Sequence, residues 1–389
     1  MNILLVSGHP AQVHNFRLVR EELIKNGHNV FWLTTPKDIA TQLLDIYGIP
    51  YDILKKPGKN ILSQLKLLLL NTCFAIKYIK RNKIDVVISR TDPYTSLAAW
   101  ILRKKYINID DTEHAAESIR QKPFALMADD ILLPSCFYYK IRKDQMYFPG
   151  NIELFYLHPN RYSPQEPWDL LNIPQGTKYA LVRFVKWDAY HDVNLIGGFS
   201  LEKKIELFNI IAKHCKVFIS SEEVLPEELQ QYQIKIPLER MHDVLAGASL
   251  VVGESATMAS ESVVLGTPAV YVDEIGRGYT DEEAREGLLH MFRPVEDASK
   301  VINDKEWIEG GVEESIAKAE EIVSEGFDIN AWNEKHKKWL STKIDCTAFL
   351  VWFIENYPSS AKLTKEAGEE FWERFRLERL KSNISIYNY

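Results

Sequence analysis

Three carboxylates and an imidazole crowd into Asp110-Asp111-Thr112-Glu113-His114, at the end of the apolar run that starts at Tyr106. Desolvation penalises charged groups at the end of a buried strand and shifts their pKa values unless they are paired or used. Asp111, Glu113 and His114 are therefore candidates for proton transfer, with a solvated charge run as the alternative. Two further imidazoles, His9 and His14, lie in Ser7-Gly8-His9-Pro10-Ala11-Gln12-Val13-His14-Asn15-Phe16. An imidazole near a helix start can carry a proton at neutral pH, or it can cap the helix or pack under the loop. Asp92, in Ser89-Arg90-Thr91-Asp92-Pro93, is a third acidic candidate, although a carboxylate just before proline is also an N-cap arrangement. The fourth segment runs Val251-Val252-Gly253-Glu254-Ser255-Ala256-Thr257-Met258 and on through Glu261 to Pro268. An apolar strand ending in glycine, followed by small and hydroxylated residues that open a helix, exposes backbone N–H groups suited to a pyrophosphate. Glu261 lies six residues after Ser255, less than two turns into that helix, where it can accept hydrogen bonds from a ribose diol; Ser255 as a plain N-cap is compatible with that use.

These residues need elements to position them. Short β-branched runs at Ile3–Val6, Val30–Thr34, Val86–Ser89, Tyr106–Asp110 and Ile131–Pro134 read as buried strands. Helical patterns separate them, including Phe16–Asn26, stopped by Gly27, and Pro93–Lys105, ending in Arg103-Lys104-Lys105. Such βαβ alternation predicts a parallel, doubly wound sheet. From Asn151 to Gly176 the text turns proline-rich, as interdomain connections do. The grammar then restarts with strands at Tyr179–Val185, Val217–Ser220, Ser249–Val252 and Ala269–Val272, and helices at Leu201–Lys213, Met241–Ala246 and Thr257–Leu265. The expected fold is α/β, with two Rossmann-like doubly wound domains, 1–160 and 161–330, and a helical tail over 331–389 packing back on the first. Ligands of open α/β sheets bind outside the carboxyl ends of the strands, so all four segments fall where chemistry is expected.

Composition narrows the function classes. The chain has 389 residues, 46% of them apolar, too long for one small module and able to bury a large core. With 47 Lys and Arg against 54 Asp and Glu the formal charge is −7, and nucleic acid is not an expected partner. Cys73, Cys136, Cys215 and Cys346 have no CxxC spacing, so neither a metal site nor a disulfide framework is indicated. The first loop lacks GxGxxG, which removes most support for an NAD(P) oxidoreductase. The opening Met1-Asn2-Ile3-Leu4-Leu5-Val6 starts a strand at once, without a basic n-region, so a cytoplasmic location is expected. The most apolar window, Leu65–Ile79, is interrupted by Lys66, Asn71 and Lys77 and is shorter than the roughly 20 residues of a membrane span. With Lys80-Arg81-Asn82-Lys83 and Arg103-Lys104-Lys105 it can instead form an apolar and basic face at the inner membrane surface, or be a core helix with a basic end.

Gly253-Glu254-Ser255, Thr257-Met258-Ala259, Glu261 and Leu265-Gly266-Thr267-Pro268 together resemble the donor-nucleotide segment of GT-B-fold proteins. Among these are UDP-N-acetylglucosamine 2-epimerases and the N-acetylglucosaminyltransferase of peptidoglycan synthesis. With Val13-His14-Asn15-Phe16, Asp111-Thr112-Glu113-His114-Ala115, Arg183-Phe184, Trp187 and His191-Asp192, the set is similar to the DUF354 family of predicted glycosyltransferases over roughly residues 1–330. The resemblance implies a GT-B glycosyltransferase. A UDP-sugar or related nucleotide sugar would lie between the domains, its diphosphate near Ser255, Ala256, Thr257 and Met258. Glu261 would hold the ribose, Ile236–Met241 would lie beside the base, and Arg183 and Lys186 would balance the leaving diphosphate without a metal or cofactor. His14, or the Asp111/Glu113 cluster, would deprotonate an acceptor, a glycan or lipid-linked hydroxyl of cell-surface glycan synthesis. An epimerase is the runner-up. Asp92 and Glu113 match the places of two epimerase catalytic residues, whereas the epimerases' Pro-Glu-Glu-x-Asn-Arg stretch is here Glu117-Ser118-Ile119-Arg120-Gln121-Lys122. Their Thr-His-Arg turn is Arg183-Phe184-Val185-Lys186-Trp187, and their Ser-Gly-Gly turn is Ser255-Ala256-Thr257. A non-catalytic nucleotide-sugar binder is the third reading; the oligomeric state is open.

Overall fold

Parallel strands buried on both faces need continuous apolar runs, and the runs found above become the centres of two sheets. In the computed structural model, which describes residues 1–36, 38–55, 61–113, 118, 121–184, 199–221, 224–295 and 305–376, the chain divides into two compact units. The first comprises Met1–Arg161 and, after the chain returns at Lys343, the closing helices. Its strands are β1 (Asn2–Ser7), β2 (Asn29–Thr34), β3 (Asp52–Ile53), β4 (Val86–Ser89), β5 (Lys105–Ile109), β6 (Asp130–Pro134) and β7 (Met146–Phe148). They pair in parallel in the order β3-β2-β1-β4-β5-β6-β7. The chain leaves β1 toward β2 on one side and returns to β4 on the other, which puts the topological switch point between the ends of β1 and β4.

The second unit, built on Tyr162–Thr342, repeats the plan. Strands β8 (Tyr179–Arg183), β9 (Lys216–Ser220), β10 (Leu250–Gly253), β11 (Ala269–Val272) and β12 (Leu289–Phe292) pair in parallel in the order β12-β11-β10-β8-β9. Its switch point lies between β8 and β10. There the register aligns Gly253 with Arg183, and a Cβ on Gly253 would lie 1.9 Å from the Arg183 carbonyl oxygen. Only glycine lets the two main chains approach this closely.

Several elements escape the apolar pattern. β3 and β7 lie at the sheet's edges, where two or three residues suffice, and β7 carries an exposed Tyr147 at its centre. The helix expected from Phe16 begins instead at Pro10, because proline preorganises the first helical position and the His9 side chain accepts a hydrogen bond from Ala11 N at 3.3 Å. The stretch Trp332–Glu355 is two helices, Ile329–Ser341 in the second unit and Cys346–Glu355 in the first. The latter packs on the Pro10–Lys25 helix, with Phe349 against Phe148 of β7 and Thr347 donating to the Phe155 carbonyl at 2.6 Å. Arg161 pairs with both Glu22 and Asp345 at the base of this assembly. Within the helical tail the described residues after Gly368 form a helix, Glu369–Trp372, continued by a 3-10 turn at Glu373–Phe375; residues 377–389 lie outside the described residues.

Two predictions concern stability. Gly253→Ala places a methyl group against main chain that has no rotamer to change, so it should destabilise the second unit by roughly 1–3 kcal/mol; urea unfolding showing a loss near zero would contradict the close approach. Each unit also holds a buried histidine. Burial pushes the His158 imidazole down to about 3, with Arg161 adding to the effect, and pushes His336 down to about 4. Both stay neutral in the folded chain while the unfolded chain takes up protons below its ordinary value of about 6.5. Stability should therefore fall as pH drops from about 6.5 toward 4 and then 3. Denaturant midpoints across that range, compared between wild type and His158→Gln or His336→Gln, measure each share; a slope unchanged in both variants would refute the assignment.

Candidate functional site

The carboxyl end of the first sheet gathers the acid–base candidates, and the structure sorts them. His14 lies inside the first turns of the Pro10–Lys25 helix and is buried, 8% exposed. Its ring stacks on Tyr156 at 5.2 Å and meets the edge of Tyr47 at 5.9 Å, with the Tyr47 hydroxyl 3.4 Å from Nδ1. Arg17 lies over the other ring of this group, 4.9 Å from the Tyr47 centroid. Two aromatic walls and a hydroxyl thus fix the imidazole plane, which is what a general base needs from its surroundings. Beside it Asn15 is buried, and among the described residues neither polar atom of its amide has a hydrogen-bond partner.

At the end of β4, Thr91 adopts a left-handed backbone, φ 47°, an arrangement that costs energy for a threonine. Asn108 of β5 holds it there: Thr91 N donates to Asn108 Oδ1 at 2.7 Å, and Thr91 Oγ1 lies 2.7 Å from Asp110 Oδ2. The turn aims Asp92 at the next helix, where its Oδ1 accepts from Thr95 N and Thr95 Oγ1, both at 2.7 Å. Asp92 is thus an N-cap, and burial raises its pKa against those hydrogen bonds.

At the end of β5 the charge cluster resolves into three separate roles. Asp110 Oδ1 accepts from Asp111 N at 2.9 Å and Thr112 N at 3.2 Å, closing a side-chain turn. Burial raises its pKa, opposed by Arg90. Asp111 forms an ion pair with Arg90 and accepts from Thr112 Oγ1 at 2.9 Å. Glu113 is buried, 1% exposed, and His114 lies outside the described residues. Arg90, Thr91 and Asn108 are the positioning residues that spacing alone missed; Arg90 stood beside Asp92 in the sequence, but its partner is twenty-one residues on, across a strand pair.

The second switch point is organised around Gly253. Glu254 N donates to the Arg183 carbonyl at 3.0 Å, and the Arg183 guanidinium donates to Ser220 Oγ at the end of β9, 3.2 Å away. The Glu254 side chain turns away from the helix opening: Oε1 accepts from Phe199 N at 2.8 Å and lies 3.7 Å from Lys204 Nζ. Ser255 caps the Ala256–Leu265 helix, its Oγ accepting from Met258 N at 3.4 Å. Ala256, Thr257 and Met258 form the first turn, which contains no acidic residue to offset the positive end of the helix. Glu261 is buried, and its Oε1 is 3.0 Å from Nε2 of the equally buried His242. His242 stands in the first turn of the Met241–Gly247 helix, where Tyr162 packs edge-on at 6.0 Å and Asp243 takes Arg240 and the Tyr162 hydroxyl. Met241 opens that helix and is half-buried. Sequence reasoning missed His242, because its partner lies nineteen residues on in another helix. Lys186, Trp187 and His191-Asp192 lie outside the described residues.

Among the described residues no group of three or more His, Cys, Asp or Glu side chains is placed to hold a metal ion, and no helix is long and apolar enough to cross a membrane. No protein-family model matches the chain, and no curated protein matches it in sequence. Solved structures do match. A UDP-GlcNAc 2-epimerase from Neisseria meningitidis bound to UDP-GlcNAc aligns with TM-score 0.62 and 12% identity over 92% of this chain and 100% of that one. The S. aureus MnaA–UDP co-structure aligns with TM-score 0.60 and 12% identity over 92% and 97%. Spinosyn rhamnosyltransferase SpnG complexed with spinosyn aglycone aligns with TM-score 0.55 and 12% identity over 92% and 100%. Two parallel sheets with flanking helices, closed by a helical C-terminal region, give this chain the two-domain α/β architecture of the GT-B fold.

Proposed function

We propose that this protein is a GT-B glycosyltransferase whose second unit binds the nucleotide of a sugar donor, UDP foremost, and whose first unit supplies the base for an acceptor hydroxyl. One observation carries the reading. The strand order of the second unit sets Arg183 beside Gly253-Glu254-Ser255 at a switch point, with a capped helix opening there that has no acid in its first turn. In this reading the N–H groups of Ala256 and Thr257 meet the diphosphate, and Arg183 balances the charge that grows on it as the glycosidic bond breaks. Glu261 accepts from the ribose hydroxyls, with His242 fixing the orientation of its carboxylate, and Met241 lies beside the base. Lys186 belongs to the same scheme as a second cation, on its sequence position. The acceptor oxygen loses its proton to His14, or to a carboxylate of the Asp111/Glu113 group, and attacks the anomeric carbon while the nucleotide diphosphate departs. His114 shares that assignment on sequence alone. Neither a cofactor nor a metal enters the scheme. A glycan or lipid-linked hydroxyl of cell-surface glycan synthesis is the proposed acceptor, and the cytoplasm the proposed location.

Epimerisation of the nucleotide sugar is the second reading. Solved epimerases share the fold, and Asp92 and Glu113 stand at the carboxyl ends of β4 and β5, where a proton donor and acceptor would be needed. The engagement of Asp92 Oδ1 as a helix cap weighs against it.

A panel of nucleotide sugars, read by thermal shift and mass spectrometry, tests the reading: one or more donors should bind, and failure of every donor would overturn it. Glu261→Gln should weaken nucleotide affinity about tenfold or more, on the scale of a lost charge-assisted hydrogen bond. Glu113→Gln should spare binding and lower turnover by roughly 100-fold or more, the usual share of a general base. Incubating a bound UDP-sugar in D2O without acceptor separates the two reactions, since deuterium at C2 marks an epimerase, whereas a transferase leaves C2 unlabelled and releases nucleotide diphosphate when an acceptor is supplied.

A further inference from the structure

Two neighbouring helices of the first unit leave an apolar surface uncovered. On the Ile61–Arg81 helix the inward positions Leu67, Ala75, Tyr78 and Ile79 are buried, while Leu65, Leu69, Leu70 and Phe74 are 57%, 61%, 42% and 39% exposed. The Pro93–Leu102 helix packs against it and shows Trp100 and Ile101 at 61% and 49% exposure. Six large apolar side chains left in water on two packed helices call for a partner, because monomeric surfaces scatter such residues singly.

The charges around them say which partner. Neither helix contains an aspartate or glutamate, and Lys66, Lys77, Lys80 and Arg81 lie on the first, with Arg103-Lys104-Lys105 following the second. Lys105 is taken by Asp129 at 2.8 Å, and Arg81 lies over the Tyr78 ring at 5.5 Å. This basic fringe sits on a chain whose formal charge is −7, so the asymmetry is local. A symmetric contact between two copies would set lysine against lysine, which disfavours a second copy as occupant. Beside Trp100 an open groove of about 690 Å³ is lined by Ile101, Arg103, Lys104, Met127 and Ala128 together with the Lys105–Asp129 pair, so that Arg103 and Lys104 are its charges not offset by that pair. Apolar side chains flanked by Lys and Arg, with a tryptophan at the level of the charges, match the interfacial layer of an anionic bilayer.

We propose that the surface formed by these two helices docks the protein on a membrane containing anionic lipids. Leu65, Leu69, Phe74 and Trp100 enter the headgroup layer, and Lys66, Lys77, Lys80 and Lys104 meet the phosphates. The proposal does not depend on which reaction the switch points perform.

Flotation of the full chain with phosphatidylcholine vesicles, and with vesicles in which roughly a third of the lipid is phosphatidylglycerol, tests it. The protein should float with the anionic vesicles, stay behind with the neutral ones, and release as salt is raised. Two variants attack the surface independently: Leu69→Gln with Trp100→Gln removes apolar contact, and Lys77→Glu with Lys80→Glu reverses charge. Each should lower the bound fraction about tenfold while the thermal midpoint stays at the wild-type value. Absence of binding to anionic vesicles, or binding that both variants leave intact, would overturn the proposal. So would a dimer in sedimentation equilibrium that the same variants dissociate, since the second copy would then be the occupant.

Discussion

The main chain of β10 reaches within contact distance of the Arg183 carbonyl, and much of the second unit follows from that approach. A residue with a Cβ at Gly253 would hold β8 and β10 apart at the one place where the strand order reverses. With glycine there, Glu254 N closes on Arg183 O, the chain turns at once, and Ser255 falls at the N-cap of a ten-residue helix. The same turn sends the Glu254 side chain to Phe199 N and toward Lys204, which keeps a carboxylate away from the helix opening. A helix start favours an anion when no negative charge competes at its N–H groups, and the first turn here holds no acidic residue.

The first unit meets its constraint differently. No glycine eases the turn after β4; Thr91 takes the left-handed conformation and is held there by Asn108 and Asp110 of the neighbouring strand end. A backbone cost of this kind persists only where surrounding groups over-determine it. Asp110 therefore spends its carboxylate on the turn, Asp111 is drawn to Arg90, and Glu113, two residues on, is buried. What the sequence presents as one charged cluster is a scaffold of two aspartates beside one buried glutamate.

Legibility followed the length scale of each cause. Apolar runs such as Val86–Ser89 and Leu250–Gly253 declare buried strands because both sheet faces are covered, and the caps Asp92 and Ser255 declare themselves because capping is a contact over three residues. β3 and β7 left too few residues, at sheet edges, to form a pattern. The start of the first helix was missed by six residues because His9 acts as the cap, a role its residue type does not advertise. Pairings across elements were invisible for a different reason. His242 with Glu261, Arg90 with Asp111 and Tyr47 with His14 depend on strand order and helix packing, which no local spacing encodes.

The return of the chain at Lys343 makes the first unit discontinuous in sequence, with the whole of Tyr162–Thr342 inserted into it. Synthesis runs from the N-terminus, so Tyr162–Thr342 is made before Cys346–Glu355, the helix that packs on Phe148 and Phe155. The first sheet must wait with an apolar face open while its neighbour folds. Connectivity thus sets the order of synthesis: Tyr162–Thr342 of the unit proposed to hold the nucleotide is made before the helix that closes the unit proposed to hold the base.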